Sequence, residues 1–123
     1  MNMLMRWVVA AFFALAGGAA WSQTYPSKPV RIVVPFAPGG NVDINARSIA
    51  PGLTELWGQQ VLVENRAGAG GMLGGEFVAK SPADGYTLLM ASNSVYSVAP
   101  NVFSKPRFNP VKDFAAISGI SNV

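Results

Sequence analysis

The chain contains no cysteine and no histidine. Without a thiol there can be no disulfide staple and no thiolate nucleophile. Without an imidazole the commonest zinc ligand, the usual base of a serine triad and the commonest proton shuttle are missing together. Charge is scarce as well, at 12% of residues. The cations Lys28, Arg31, Arg47, Arg66, Lys80, Lys105, Arg107 and Lys112 are scattered singly, so the high isoelectric point does not amount to the basic stripe that a nucleic acid needs. There is no G-x-S-x-G elbow. The longest apolar stretch, Trp7 to Leu15, is about half the roughly twenty residues of a membrane span.

Half of the residues are hydrophobic, which suits a soluble domain with a packed core and argues against disorder. The first residues read as a targeting segment rather than as part of that domain. Arg6 precedes the apolar run, small residues Ala16 to Ala20 follow it, and Ala20-Trp21-Ser22 has the small-x-small pattern of a cleavage site. The expectation is a secretory signal over residues 1–22 and a periplasmic mature chain beginning Gln23-Thr24-Tyr25-Pro26. A retained N-terminal anchor is the alternative. Residues 23–123 have the size of a single domain or lobe.

Within that part, hydrophobic period alternates between strand and helix. Val30 to Val34 reads as a strand covered on both faces, because Ile32-Val33-Val34 is a continuous β-branched run. Pro35 and Pro38 end the ladder, and Gly39-Gly40 permit a tight turn. Val42, Ala46, Ile49, Ala50, Leu53, Leu56 and Trp57 then recur at helical spacing, with Asn41 or Asp43 as N-cap and Gly58 as terminator. Pro51 inside this pattern should kink or divide the helix. Val61 to Glu64 reads as a second strand, residues up to Lys80 as a short second helix after a glycine-rich loop, and Tyr86 to Met90 as a third strand. Asn109-Pro110 starts a further turn of helix, and Phe114 to Ile120 is expected to be a fourth strand. The order βαβαβαβ predicts an α/β fold with a parallel sheet.

Three loops at strand ends compete for the chemistry. The first, Phe36 to Asp43, leads into a helix start, where unpaired N–H groups and the positive end of the helix dipole favour an anion. The second, Gly68-x-Gly70-x-x-x-Gly74, stands where a dinucleotide-binding turn would stand but lacks the G-x-G-x-x-G spacing. Close helix–sheet packing explains its glycines at least as well. The third, Ser92-Asn93-Ser94, offers hydroxyl and amide groups to a carboxylate or, equally, caps to the next helix.

Read in order, Tyr25-Pro26-Ser27-Lys28-Pro29, Pro35-Phe36-Ala37-Pro38-Gly39-Gly40-x-x-Asp43, Val63-Glu64-Asn65-Arg66-x-Gly68-Ala69-Gly70-Gly71, Asp84-Gly85-Tyr86-Thr87-Leu88 and Pro110-Val111-Lys112-Asp113-Phe114 resemble the Bug-type receptors of tripartite tricarboxylate transporters. The resemblance implies a monomeric extracytoplasmic solute-binding protein, not an enzyme and without a cofactor, of the type II periplasmic-binding fold. Two α/β lobes would close on a small carboxylate (a di- or tricarboxylate, an amino acid or an aromatic acid), which a membrane permease would receive. It further implies that residues 23–123 are the first lobe, with the second lobe outside this chain. Carried over by position, Phe36, Ala37, Pro38, Gly39, Gly40 and Asp43 of the first loop and Ala91, Ser92, Asn93 and Ser94 of the third would line the cleft. Main-chain N–H groups and waters would hold one carboxylate, and Asp43 would brace the loop and cap its helix, since like charges in a closed cleft repel. The chain departs from the family at Ala67, where proline is frequent, and in the third loop, which is often rich in glycine and threonine. The alternatives are an exported nucleotide-cofactor-dependent oxidoreductase using the glycine-rich loop 68–75, and a secreted hydrolase using Ser92 or Ser94.

Overall fold

A computed structural model describes residues 24–121 of the chain. The expected signal segment and its cleavage point lie outside the described residues. Three parallel strands, β1 (Val30–Val34), β2 (Val61–Asn65) and β3 (Thr87–Leu89), form a sheet of order β2-β1-β3. Helix α1 (Asn41–Trp57) joins β1 to β2, and α2 (Met72–Ala79) joins β2 to β3. Beyond β3 come an irregular turn at Ser94–Val98 and a single turn of helix, α3 (Ala99–Val102).

The strand register explains the layering. Val30, Ile32 and Val34 stand opposite Val61, Val63 and Asn65, and alternation puts them on one face of the sheet. There Ile32 and Val34 pack on Ala46 and Ala50 of α1, with Val42, Leu53 and Trp57 around them. The other face carries Arg31 and Val33. Phe77 of α2 lies on that side, its ring facing the guanidinium of Arg31 at 6.0 Å. Burial on both faces is why β1 tolerates only apolar residues after Arg31.

Helix α1 ends as its sequence demands. Gly58 adopts φ 65° and donates to the carbonyl of Thr54, a left-handed stop that glycine makes without strain. Pro51 does not divide the helix, which runs unbroken from Asn41 to Trp57. It sits on the exposed side, where water can satisfy the carbonyl of Arg47 that loses its N–H partner.

Two of the sequence motifs meet at the amino end of the sheet, far from the loops that follow the strands. Tyr25 and Tyr86 pack edge to face at 5.1 Å. The Tyr25 hydroxyl donates to the carbonyl of Gly85, and Tyr86 accepts from the N–H of Ser27 at 2.9 Å. Lys28 pairs with Asp84. Those motifs dock the entry of β1 against the entry of β3.

The expected fourth strand is absent among the described residues. Phe114 to Ile120 is irregular, and Ile117 is 79% exposed. Its β-branched residues favour an extended chain, but a strand forms only against a neighbour, and none is beside it. The turn before it is built as expected: Asn109 Oδ1 accepts from the N–H groups of Val111 and Lys112, both at 2.9 Å, and Asp113 accepts from Asn109 N–H. Phe108 and Phe114 meet edge to face across this turn, and Phe108 joins Met72 and Val95 in a second apolar cluster.

Candidate functional site

A strand order of β2-β1-β3 means that the chain leaves β1 toward one side and later returns past it to the other. The carboxyl ends of β1 and β3 therefore flank a topological switch point, the usual binding crevice of an open α/β sheet. The first loop follows β1 and the third follows β3, so both lie there. Phe36 ties them together, since it packs against the α1 cluster and also against the cluster of Met72, Val95 and Phe108 that Ala91 joins.

Pro35, just before the first loop, is buried; within the loop Phe36 is half-buried, and Ala37, Pro38, Gly39 and Gly40 are exposed. Gly39 has φ 85°, the conformation that requires glycine. Gly40 is the N-cap of α1, with φ −76° and ψ 168°, and no side chain caps the helix. This corrects the expectation of Asn41 or Asp43 as N-cap. The Asn41 amide oxygen instead accepts from Asn45 Nδ2, and the Asp43 carboxylate reaches back beyond the cap. The first helical bond runs from Ile44 N–H to the carbonyl of Gly40 at 2.9 Å. The N–H groups of the opening turn are left to solvent or to a ligand.

Asp43 is buried, yet every side of its carboxylate is engaged. It accepts from Gly39 N–H at 2.8 Å and from Arg47 Nε, 3.1 Å from each oxygen. Asn65 Nδ2 donates to it at 2.9 Å. Asn65 also donates to the carbonyl of Phe36 at 3.1 Å and accepts from Arg47 Nη2 at 2.9 Å. Arg47, then the Gly39 N–H, then Asn65 hold the Asp43 carboxyl at about 2, below its usual 3.8. Asp43 thus braces the loop as a compensated charge. Arg47 and Asn65 were not among the expected site residues; the four-residue spacing of Asp43 and Arg47 on a helix was the available signal.

The third loop places Ala91 and Ser92 half-buried, with Asn93 and Ser94 exposed. The hydroxyls of Ser92 and Ser94 are 2.6 Å apart, and the Ser92 carbonyl accepts from Val95 N–H at 3.0 Å. Val95 is fully buried, which anchors the loop from its far end.

Three glycines at the end of the second loop and the start of α2 serve close packing. A Cβ on Gly71 would lie 2.6 Å from Val95, and one on Gly74 would lie 2.7 Å from Pro35 Cβ and 2.9 Å from the carbonyl of Arg66. At Gly75 it would enter the ring of Phe108. These glycines let α2 and its first turn lie directly on Pro35, Val95 and Phe108. Arg66 turns away and stacks on Phe77, 3.5 Å from the ring centroid. A groove of about 600 Å³ lined by Arg31, Phe77, Lys80 and Thr87 lies on the α2 face and includes none of the expected site residues. No cluster of three or more metal-ligating carboxylates is present among the described residues, and no helix among them is long and apolar enough to cross a membrane.

Residues 45–123 match the model of the tripartite tricarboxylate transporter family receptor. The chain belongs to that family. The solved periplasmic binding protein BugD is 41% identical, with a TM-score of 0.67 over 73% of this chain and 30% of its own. The R. palustris protein Rpa4515, solved with adipate, is 37% identical with a TM-score of 0.68 over 71% of this chain and 29% of its own. MatC from Rhodopseudomonas palustris, solved with bound malate, is 37% identical with a TM-score of 0.63 over 73% of this chain and 31% of its own. The parallel α/β fold is therefore that of part of a periplasmic binding protein, and the family's members are receptors for solutes. The chain spans about a third of the length of the curated relatives it matches.

Proposed function

We propose that this chain forms the first lobe of an exported receptor that captures a small carboxylate and passes it to a membrane permease of the tripartite tricarboxylate type. The carrying observation is the start of α1. It lies at the switch point without a side-chain cap, so its N–H groups and dipole face the crevice, while the carboxylate of its first turn, Asp43, is already paired with Arg47 and hydrogen-bonded by Asn65. The exposed backbone of Ala37 to Gly40 gives a ligand close access. The Ser92 and Ser94 hydroxyls add donors that can act directly or through water.

Adipate and malate in related proteins support a dicarboxylate within the wider range of di- and tricarboxylates, amino acids and aromatic acids. Residues 1–22 would direct export and be removed. The residues gathered here orient an anion and offer no general base or nucleophile pair, so the ligand is returned unchanged. A second lobe would close over the exposed side of the crevice. Calorimetry on the complete gene product, with any sequence that follows Val123, tests the reading: one carboxylate should bind per protein. Residues 23–123 alone should bind it at least about a hundredfold more weakly, roughly 2.7 kcal/mol. Equal affinity of the two would remove the second lobe from the site.

A further inference from the structure

Asn65 stands at the end of β2, outside both loops of the candidate site, yet it holds the first of them. The bond from Arg66 N–H to the carbonyl of Val34 at 2.8 Å carries the β1–β2 pairing to the very end of both strands. That brings the Asn65 side chain beside the point where the first loop departs. Its amide oxygen takes a hydrogen from Arg47, and its nitrogen gives one to Asp43 and one to the carbonyl of Phe36. Asp43 in turn takes the N–H of Gly39. The loop is thus pinned at two points, at the Phe36 carbonyl by Asn65 and at the Gly39 N–H by Asp43, with Arg47 bridging the two pins. A primary amide supplies two donors and an acceptor in one plane without charge, and no other side chain of this size does so.

We propose that Asn65 is a positioning residue for ligand capture, holding the loop after β1 in the shape that leaves the opening turn of α1 free for an anion. The inference rests on the carboxylate-binding reading of that turn. Without the Asn65 amide the Phe36 carbonyl loses its partner and the loop is held at one end only. It can then fold over the helix start and satisfy those N–H groups itself, in competition with the ligand.

The exchange of amide for carboxyl tests this without changing shape. Asn65→Asp keeps an acceptor for Arg47 but loses both donors and sets a second negative charge against Asp43. The charged groups facing this position are Asp43 and Arg47 of α1, and the first loop contributes the Phe36 carbonyl. When the introduced carboxyl takes up a proton it regains one of the two donors, keeps an acceptor and sheds the repulsion with Asp43, so the loop should be restored in part in acid.

The experiment measures the affinity of the complete gene product and its variants for malate, adipate, citrate, glutamate and benzoate by calorimetry, expressed as variant over parent at each pH. At about pH 7, both Asn65→Ala and Asn65→Asp should bind at least about tenfold more weakly than the parent, with unchanged circular dichroism. On lowering the pH to about 4, Asn65→Asp should recover part of the loss and Asn65→Ala none. Parent-like affinity of folded variants, or an Asn65→Asp deficit that does not shrink in acid, overturns the positioning role and leaves the carboxylate reading intact. A parent that binds none of the five acids overturns the carboxylate reading and the positioning role with it. Should Asn65→Ala fail to fold, the pH profile of Asn65→Asp decides alone.

Discussion

Two glycine-to-alanine exchanges, one at Gly74 and one at Gly52, should have opposite signs. Both positions lie inside helices, where alanine gains about 0.5 to 1 kcal/mol over glycine from backbone entropy. Gly52 is exposed on α1, and nothing lies within 4 Å of a Cβ built there. Gly52→Ala should therefore stabilise by that full amount. At Gly74 the same methyl would meet Pro35 Cβ at 2.7 Å, Pro35 Cα at 2.8 Å and the Arg66 carbonyl at 2.9 Å. These are ring and backbone atoms that cannot rotate aside. Restoring ordinary contact, which starts near 3.4 Å, needs α2 or the first loop to move by about 0.7 Å. Overpacking of this kind costs about 1 to 3 kcal/mol. The propensity gain offsets part of that, leaving a net loss of about 0.5 to 2 kcal/mol. The two variants should then differ by about 2 kcal/mol in urea unfolding of the complete gene product, on the transition that reports this lobe. Because Pro35 leads directly into the first loop, Gly74→Ala should also weaken ligand binding while Gly52→Ala leaves it alone. A neutral or stabilising Gly74→Ala would show that α2 does not lie tightly on the loop.

Further outcomes follow from the same geometry. Gly40 has φ −76°, and the nearest atom to a Cβ there is the Ala37 carbonyl at 3.6 Å, so Gly40→Val should fold normally and lose at least about tenfold in carboxylate affinity, measured by calorimetry. Gly39→Val, at φ 85°, should instead cost stability by about 1 to 3 kcal/mol, seen as a lower midpoint in the same urea assay. Asp43 titrates at about 2 when folded against 3.8 ordinarily. Its contribution is present above about pH 4 and is lost as pH falls from there toward 2, so Asp43→Asn should flatten the acid limb of the stability curve; an unchanged slope would deny the brace. N-terminal sequencing of the exported protein should read Gln23-Thr24-Tyr25; a retained Met1 would count against a cleaved signal.

Much of the fold was legible because it is written in local pattern. The run from Ile32 to Val34, the helical spacing from Val42 to Trp57 and the stop at Gly58 each announce one element, and each is where it was expected. What failed depends on neighbours. Phe114 to Ile120 has strand composition but no strand beside it, and the third strand shrinks to Thr87–Leu89. The order β2-β1-β3, which sets the first and third loops on either side of the switch point, follows from tertiary packing alone. The brace around Asp43 was half legible. Its pairing with Arg47 follows from helical spacing, whereas Asn65 is separated from Asp43 by 22 positions and comes near only through strand pairing. Of the glycines in and after the second loop, Gly71, Gly74 and Gly75 are explained by the atoms they approach, Val95, Pro35 and Phe108, which no local pattern announces.

The central claim is that an uncapped helix start at this switch point holds a carboxylate. Its most direct measurement is calorimetric titration of the complete gene product with small di- and tricarboxylates, amino acids and aromatic acids, each beside its neutral amide, followed by mass spectrometry of the recovered ligand. The account predicts one bound acid per protein, returned unchanged, with the matching amide binding at least about tenfold more weakly. Equal binding of acid and amide, or conversion of the acid into another compound, would contradict it.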